Sequence, residues 1–307
     1  MKTAQPGWLA VMLLAMVAWL VNLALMHAAA QRAAQLDTGR LDLVAPAVGG
    51  NALNLITKSG GMAGLVLFLA DARRRNRPRG SVVASYALAQ SAGEIAFAAT
   101  LIAALALVWA DGHLSRTEIV ASVVFGIYLT VRIGAYVAAF RSRTAIRRLY
   151  SLPHRIVTFV RRRPPTPIDV MSADEMYDSM VLVRQRPRGV VPVFGHAIGV
   201  EAIGVIELWA AAAAVGASHS LLVAFVGYSV SVLFAIVGFL PGGLGFVEVS
   251  LGAVLVSYGA SVATATAAVV LYRVVEMWLP IVIGLGVGHR LRQSARVTLE
   301  PTDSAPK

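Results

Sequence analysis

The stretch that decides the fold is residues 221–257, LLVAFVGYSVSVLFAIVGFLPGGLGFVEVSLGAVLVS. It contains a single charged residue, Glu248, and a break in its middle formed by Pro241, Gly242, Gly243 and Gly245. Proline removes a backbone donor, and glycine permits positive φ angles and close backbone approach. A bilayer-spanning helix needs about 20 apolar residues. The stretch therefore predicts a membrane element made of two apolar arms around a broken centre.

The rest of the chain has the same apolar character. Of the 307 residues, 57% are hydrophobic and only 14% are charged, which excludes a single water-soluble globule. Because barrel-type alternation is absent, the chain is predicted to be an all-α polytopic membrane protein with seven or eight membrane segments. The first run, with Lys2 before it and Ala28-Ala29-Ala30 at its end, resembles a signal peptide, but its apolar core is longer than usual. A retained span is therefore predicted, with cleavage as the open alternative. The runs are 8–29, 43–70, 81–110, 117–140, 190–215, 220–258 and 262–288.

Arginine placement predicts the orientation. The net charge is +11, but the arginines cluster at span ends, which favours the positive-inside rule and anionic lipid over nucleic acid. The loop Arg73–Arg79, the segment 141–188 and the C-terminal end are expected to be cytoplasmic, in a bacterial inner membrane. The chain must then cross the membrane an even number of times between residues 188 and 290. If 190–215 and 262–288 each cross once, 220–258 must be a hairpin, either re-entrant or fully spanning. The run 43–70 is taken as one broken crossing.

This pattern divides the chain into four predicted regions. They are a membrane half at 1–140, a basic cytoplasmic linker with a short amphipathic helix at 141–189, a second membrane half at 190–290 and a disordered tail at 291–307. The linker helix is expected either to pack on the bundle or to bind the lipid surface. Two further partners remain open: an enzyme bound through the arginines of this linker, and a second copy of the chain.

A second break lies at Lys58-Ser59-Gly60-Gly61, and its glycine doublet is the first-half counterpart of Gly242-Gly243. Paired interruptions in two halves are typical of transporters built from repeats with broken helices. The second helical arms, near Met62 and Leu244, are expected to present free N–H groups to an anion such as phosphate.

Charged residues inside apolar runs are costly, so they normally face a cavity or one another. Arg273 and Glu276 lie three apart and are expected to pair, yet carboxylates outnumber cations in the runs. No metal-ligand spacing, nucleotide loop or catalytic motif is present, and no cofactor is predicted. The candidate translocation residues are Arg273, Glu248, Glu276, Pro241, Gly242, Gly243, Gly245, Lys58, Gly60, Gly61, Glu94 and Arg132, with Glu201 and Glu207 ranked below them.

The string Phe239-Leu240-Pro241-Gly242-Gly243-Leu244-Gly245-Phe246-Val247-Glu248, followed by Leu271-Tyr272-Arg273 and Trp278-Leu279-Pro280, resembles the lysylphosphatidylglycerol synthase transmembrane-region family. The resemblance spans most of 8–288 and is strong from about residue 190. The first half departs from the family pattern: Lys58-Ser59 replaces the usual proline before the glycine, and Ile95 stands where an arginine often follows the acid.

The resemblance implies a flippase-like, non-enzymatic domain that moves a polar-headgroup, anionic or aminoacylated phospholipid between leaflets. In the implied mechanism, Arg273 and the helix starts bind the lipid phosphate, and Glu248 and Glu276 bind a cationic or hydroxylated headgroup. Two alternatives remain open at this point. One is an ion-coupled secondary transporter of a small solute, and the other is a non-transporting membrane partner of a lipid-modifying or glycosyltransferase enzyme.

Overall fold

The computed structural model describes residues 5–57, 59–110, 116–141, 167–217 and 220–297. These residues form eleven α-helices and no β-strand. The helices are α1 Pro6–Ala33, α2 Val44–Ile56, α3 Met62–Arg74, α4 Arg79–Ala110, α5 Arg116–Arg141, α6 Pro167–Gln185, α7 Val191–Ala214, α8 Leu221–Val237, α9 Phe246–Ser257, α10 Val262–Arg273 and α11 Leu279–Val297. A π-helical turn, Val274–Trp278, joins α10 to α11.

The helices α1 and α7 pack against each other in opposite directions. The backbone N–H of Gln5, just before α1, donates to the carbonyl of Ala214 at the end of α7 (3.0 Å). Further along, the Asn22 amide donates to the carbonyl of His196 (2.8 Å). The first helix therefore runs antiparallel to α7 along most of its length.

The first broken run folds back on itself. Gly50 of α2 lies against Gly64 and Phe68 of α3, and the entry and exit of the pair are joined by an Arg75–Asp42 ion pair (2.8 Å). Each of the two helices is 13 residues long, or about 20 Å, well short of a hydrocarbon core of about 30 Å. The expectation of one broken crossing over 43–70 is therefore wrong: the two arms are a hairpin.

The second broken run is also a hairpin. Gly238 approaches Phe246 next to the break, and Gly227 approaches Leu251 and Val254 farther from it. The arms α8 and α9 thus run antiparallel, as the parity argument predicted. A Cβ on Gly243 would lie 2.6 Å from the Cα of Ala235, so only glycine permits this approach of the two arms.

The same order of elements occurs twice in the described chain. A long helix, a two-armed hairpin and a further long helical element form α1 to α4, and they recur as α7 to α11, with α10, the π turn and α11 in the place of α4. Corresponding helix starts are separated by nearly the same interval as the two glycine doublets. Because α1 and α7 are antiparallel, the two series are oriented in opposite directions.

Within the part of the chain that the structure describes, four helical stretches are long and apolar enough to cross a membrane: Pro6–Ala33, Arg79–Ala110, Pro187–Ala214 and Val262–His289. Shorter apolar helices accompany them at Val44–Ile56, Ile119–Ala135, Leu221–Val237 and Pro241–Ser257. In the linker, α6 buries Met176 and Met180 against Ala84 of α4. The linker helix therefore contacts the bundle through these two methionines. Residues 142–166 and the tail from 298 onward lie outside the described residues.

Candidate functional site

The tip of the second hairpin is built from glycines in the left-handed region of φ. Pro241–Gly243 form a short 3₁₀ turn, with φ of 59° at Gly242 and 67° at Gly243. Gly245, at φ 81°, precedes the first residue of α9. The Glu248 carboxylate accepts a hydrogen bond from the Gly245 N–H through Oε2 (2.6 Å). This bond places the Glu248 charge at the positive start of α9, where it stabilises the helix.

Arg273 connects this tip to the end of α10. Its Nε donates to Oε1 of Glu248 (2.7 Å), and its Nη1 donates to Oε2 of Glu276 (2.9 Å). Its Nη2 donates to the carbonyl of Gly242 (2.7 Å) and lies 2.9 Å from the Met277 sulfur. The predicted Arg273–Glu276 pair is present, and the guanidinium holds both the tip carbonyl and two carboxylates.

The three charged side chains differ in exposure. The Arg273 side chain is 5% exposed, whereas those of Glu248 and Glu276 are 32% and 30% exposed. One guanidinium and two carboxylates give the cluster a formal charge of −1. Arg273 therefore presents almost none of its charge outward, and the accessible polar surface of the site is carboxylate.

The phosphate-binding mechanism expected from the sequence does not fit this arrangement. Arg273 is buried and already bonded on all three nitrogens, and Glu248 occupies the start of α9. At the other hairpin, the start of α3 is likewise filled by side chains. The Ser59 hydroxyl accepts from the Ala63 N–H (2.9 Å), and Asn54 Oδ1 accepts from the Gly64 N–H (2.7 Å).

Exposed apolar side chains border the second tip. Phe239 is 76% exposed and precedes the turn, Val249 is 73% exposed and follows Glu248, and Trp278 is 49% exposed at the end of the π turn. Phe239 also packs edge-on against Phe246 (5.0 Å between ring centroids). Apolar side chains thus frame the half-exposed carboxylates.

The tip of the first hairpin has a similar construction. Gly60 and Gly61 have φ of 60° and 85°. The Tyr86 hydroxyl of α4 donates to the carbonyl of Gly61 (2.6 Å). Lys58, named as a candidate from the sequence, lies outside the described residues.

An arginine also holds this first tip. Arg132 of α5 donates to the carbonyl of Gly60 (2.7 Å) and to the Tyr128 hydroxyl (2.6 Å). Its Nη2 lies 3.1 Å from Oε1 of Glu94. Because Ile95 replaces the arginine that often follows this acid in the family, the family pattern offered no basis for an ion pair here. The structure supplies the cation from another helix.

The two tips therefore share one plan. In each, the carbonyl of the first glycine of the doublet accepts from an arginine, and that arginine pairs with a glutamate. The interval in the chain from Glu94 to Glu276 equals the interval from Gly60 to Gly242. This shared offset is a sequence signal that identifies Glu94 as the counterpart of Glu276.

The family model described as the lysylphosphatidylglycerol synthase TM region matches residues 1–284, which include both hairpins and both arginine clusters. The chain belongs to this family. Neither the comparison with curated proteins nor the comparison with solved structures gave a match. A membrane role follows from the family and from the long apolar helices.

Residues that the sequence reasoning ranked low or missed also lie close to the site. Glu207 is 3% exposed and Glu201 is 8% exposed on α7, and both face the α8 and α10 side of the bundle. Tyr228 and Tyr272, which were not candidates, lie among them and are 5% and 2% exposed. An aromatic residue in an apolar run gives no sequence signal of such a role, because it is also an ordinary core residue.

Proposed function

We propose that this protein moves a phospholipid with a cationic amine in its headgroup, such as an aminoacylated lipid, between the leaflets of the membrane. The observation that carries this proposal is the second tip. Two half-exposed carboxylates and one buried guanidinium, with a net charge of −1, lie in a frame of exposed apolar side chains. Such a site matches an amine joined to acyl chains better than a free hydrophilic solute, which would need a polar rim.

In the membrane, we propose that both hairpins are re-entrant. The helices α1, α4, α5, α7 and the α10–α11 stretch then cross, which gives seven membrane elements. Arg73–Arg79, the 142–166 linker and the C-terminal end all fall on one side, in agreement with the positive-inside rule. The N-terminus falls on the opposite side, because the first hairpin returns to the face it entered.

The opposed directions of the two series support an inverted repeat. In this arrangement one hairpin enters from each face, and their broken tips approach the middle of the membrane. Contact between α2 and the 3₁₀ turn of the second hairpin agrees with tips that lie near each other. A headgroup entering from either leaflet would then meet one of two related arginine–glutamate clusters.

At the second tip, Oε1 of Glu276 is the acceptor that Arg273 leaves available, since the guanidinium bonds to Oε2. We propose that the lipid ammonium binds there and that the acyl chains stay beside Phe239 and Trp278. Arg273 holds the two carboxylates and the glycine turn in fixed positions relative to one another. The proposal includes no covalent step, so the chain would act without catalysis.

The test is translocation in proteoliposomes. Head-labelled lysyl-phosphatidylglycerol and phosphatidylglycerol would be compared in wild type and in Glu276→Gln, which keeps the shape of the side chain and removes its charge. We expect faster movement of the lysyl lipid by wild type and a loss of at least about tenfold in the variant. Glu175→Gln, at a carboxylate of α6 that accepts from the Gly80 N–H, is the matched control and should transport normally. Equal rates in wild-type and protein-free vesicles for both lipids would refute the proposal.

A further inference from the structure

The site described so far does not use the two buried carboxyl groups of α7. Glu201 and Glu207 lie within an apolar span and are almost entirely hidden from solvent. In the described residues, Oε2 of Glu201 and Oε1 of Glu207 are fully buried and have no hydrogen-bond partner. Native structures rarely leave such atoms unpaired, so these two need an explanation.

The cations nearby are already engaged. Arg273 is bonded to Glu248, Glu276 and the Gly242 carbonyl, and Arg132 is bonded at the other tip to Glu94 and Gly60. An ionised carboxylate without a paired cation is costly inside a bilayer, and the group binds a proton instead. The geometry alone thus indicates that Glu201 and Glu207 are neutral acids.

The surroundings of Glu207 connect it to the site. Its charged neighbour is Glu276 in the π turn, and Tyr272 of α10 interacts with both acid groups. From α8, Tyr228 is bonded to Glu201, and Ser231 is bonded to Tyr272. The other helices that pack on α7 present Met12 and Met16 from α1 and Ala89 and Ala92 from α4. The polar contact from α1 is Asn22, which bonds to His196 near the start of α7.

The Tyr228 ring is fitted into α7 at Gly204, midway between the two acids. A Cβ at Gly204 would lie 2.8 Å from the Tyr228 hydroxyl oxygen and closer still to the ring. Glu201 and Glu207 are separated by about 9 Å along the helix axis. Glycine at this position therefore brings the Tyr228 hydroxyl against α7, where it bonds to Glu201.

We propose that Glu207 is a proton-binding site that couples lipid movement to the proton gradient by exchanging its proton with Glu276. In this step the O–H bond of Glu207 breaks and an O–H bond forms on Glu276. The charge of the cluster of Arg273, Glu248 and Glu276 changes from −1 to zero. Its attraction for a lipid ammonium falls, and the headgroup is released. Glu207 then takes up a proton that enters from one face of the membrane, and Glu276 gives its proton up to the other face before the next headgroup binds.

This inference rests on the proposed function, because it assigns the energy coupling of the same site. Tyr228, which interacts with both Glu201 and Glu276, extends the polar path along α7 to Glu201. Proton exchange along such a path needs no reactant beyond the proton itself.

The experiment measures lysyl-phosphatidylglycerol movement in proteoliposomes with and without an imposed pH difference of one unit. We expect the wild type to respond by up to about tenfold, since one unit is a tenfold difference in proton activity. Glu207→Gln should lose the response to the gradient, whereas Glu175→Gln, which lies outside the site, should keep both its movement without a gradient and the response. A wild type that moves lipid at the same rate with and without the gradient would overturn the coupling and leave the lipid transport intact.

Infrared difference spectroscopy gives a readout that does not depend on transport. A protonated carboxylic acid has a carbonyl stretching band distinct from that of a carboxylate. We expect such a band in the wild type at neutral pH and its partial loss in Glu207→Gln. An unchanged band in the folded variant would show that Glu207 carries no proton and would overturn the inference even if no lipid movement were detected.

Discussion

Arg273→Lys is the substitution that examines the second tip most closely, because it keeps the charge and removes the geometry. The guanidinium reaches Glu248, Glu276 and the Gly242 carbonyl at the same time with three different nitrogens. An ammonium is a single point on a flexible stem and cannot reproduce this fork. We expect lysine to keep one carboxylate and to lose the second together with the carbonyl.

The size of the effect follows from the bonds lost. A hydrogen bond to a charged group contributes about 1.5 to 3 kcal/mol, and the lower end applies because both carboxylates are about one third exposed. Two lost bonds thus cost about 3 kcal/mol, or about a hundredfold in the population of the assembled tip. Thermal unfolding in detergent and lipid movement in vesicles should both decline.

Arg184→Lys is the matched control, since Arg184 is exposed and has no hydrogen bond or ion pair to the described residues. It should match the wild type in both measurements. Wild-type unfolding temperature and wild-type lipid movement in Arg273→Lys would refute the assignment of Arg273 as the connection between the tip and α10.

Further substitutions separate backbone, ion-pair and surface effects. In Gly245→Ala the new methyl group meets no atom within 4 Å, so the substitution should cost only the strain of positive φ, about 1 to 2 kcal/mol. Gly243→Ala adds a backbone clash and should lower the unfolding temperature clearly more. Equal decreases in the unfolding temperature of the two variants would contradict the packing of the tip. Arg132→Gln removes the first-tip ion pair and should reduce lipid movement like the Arg273 variants; wild-type movement would show that the tips are not equivalent. The Gly39 N–H and the neighbouring arginines lower the pKa of Asp42, so its ionised form stabilises the fold above its ordinary value of 3.8, and this contribution is lost as the pH falls. Asp42→Asn should therefore unfold more easily than wild type at neutral pH, and the difference should persist down to about pH 4 and shrink as the pH falls below 3.8; a difference that does not depend on pH would contradict this.

Much of the architecture could be predicted from residue types. The apolar runs predict helices because lipid offers no partners to free backbone groups, and Pro241 with its glycines predicts the break that the structure places at a hairpin tip. The Arg273–Glu276 pair could be predicted because residues three apart share a helix face. These features depend on neighbours in the chain, which a single sequence displays.

The features that the sequence did not predict depend on distant contacts. The fold-back of 43–70 requires Asp42 to meet Arg75, and nothing local distinguishes that arrangement from a kinked crossing. Arg132 lies on a different helix from Glu94, so its role could not be read from the family pattern. The burial of Arg273 was missed for the same reason: its partners come from two other segments, and together they turn an expected anion site into an accessible carboxylate site.

The most direct test of the central claim is to locate the headgroup on the protein. A lysyl-phosphatidylglycerol analogue with a photoactivatable group beside its amine would be irradiated in vesicles, and the adducts would be mapped by mass spectrometry. The account predicts adducts in residues 239–249 and 274–278, strongly reduced in Glu276→Gln at matched protein and lipid amounts. Adducts confined to other parts of the chain, or unchanged in the variant, would contradict it.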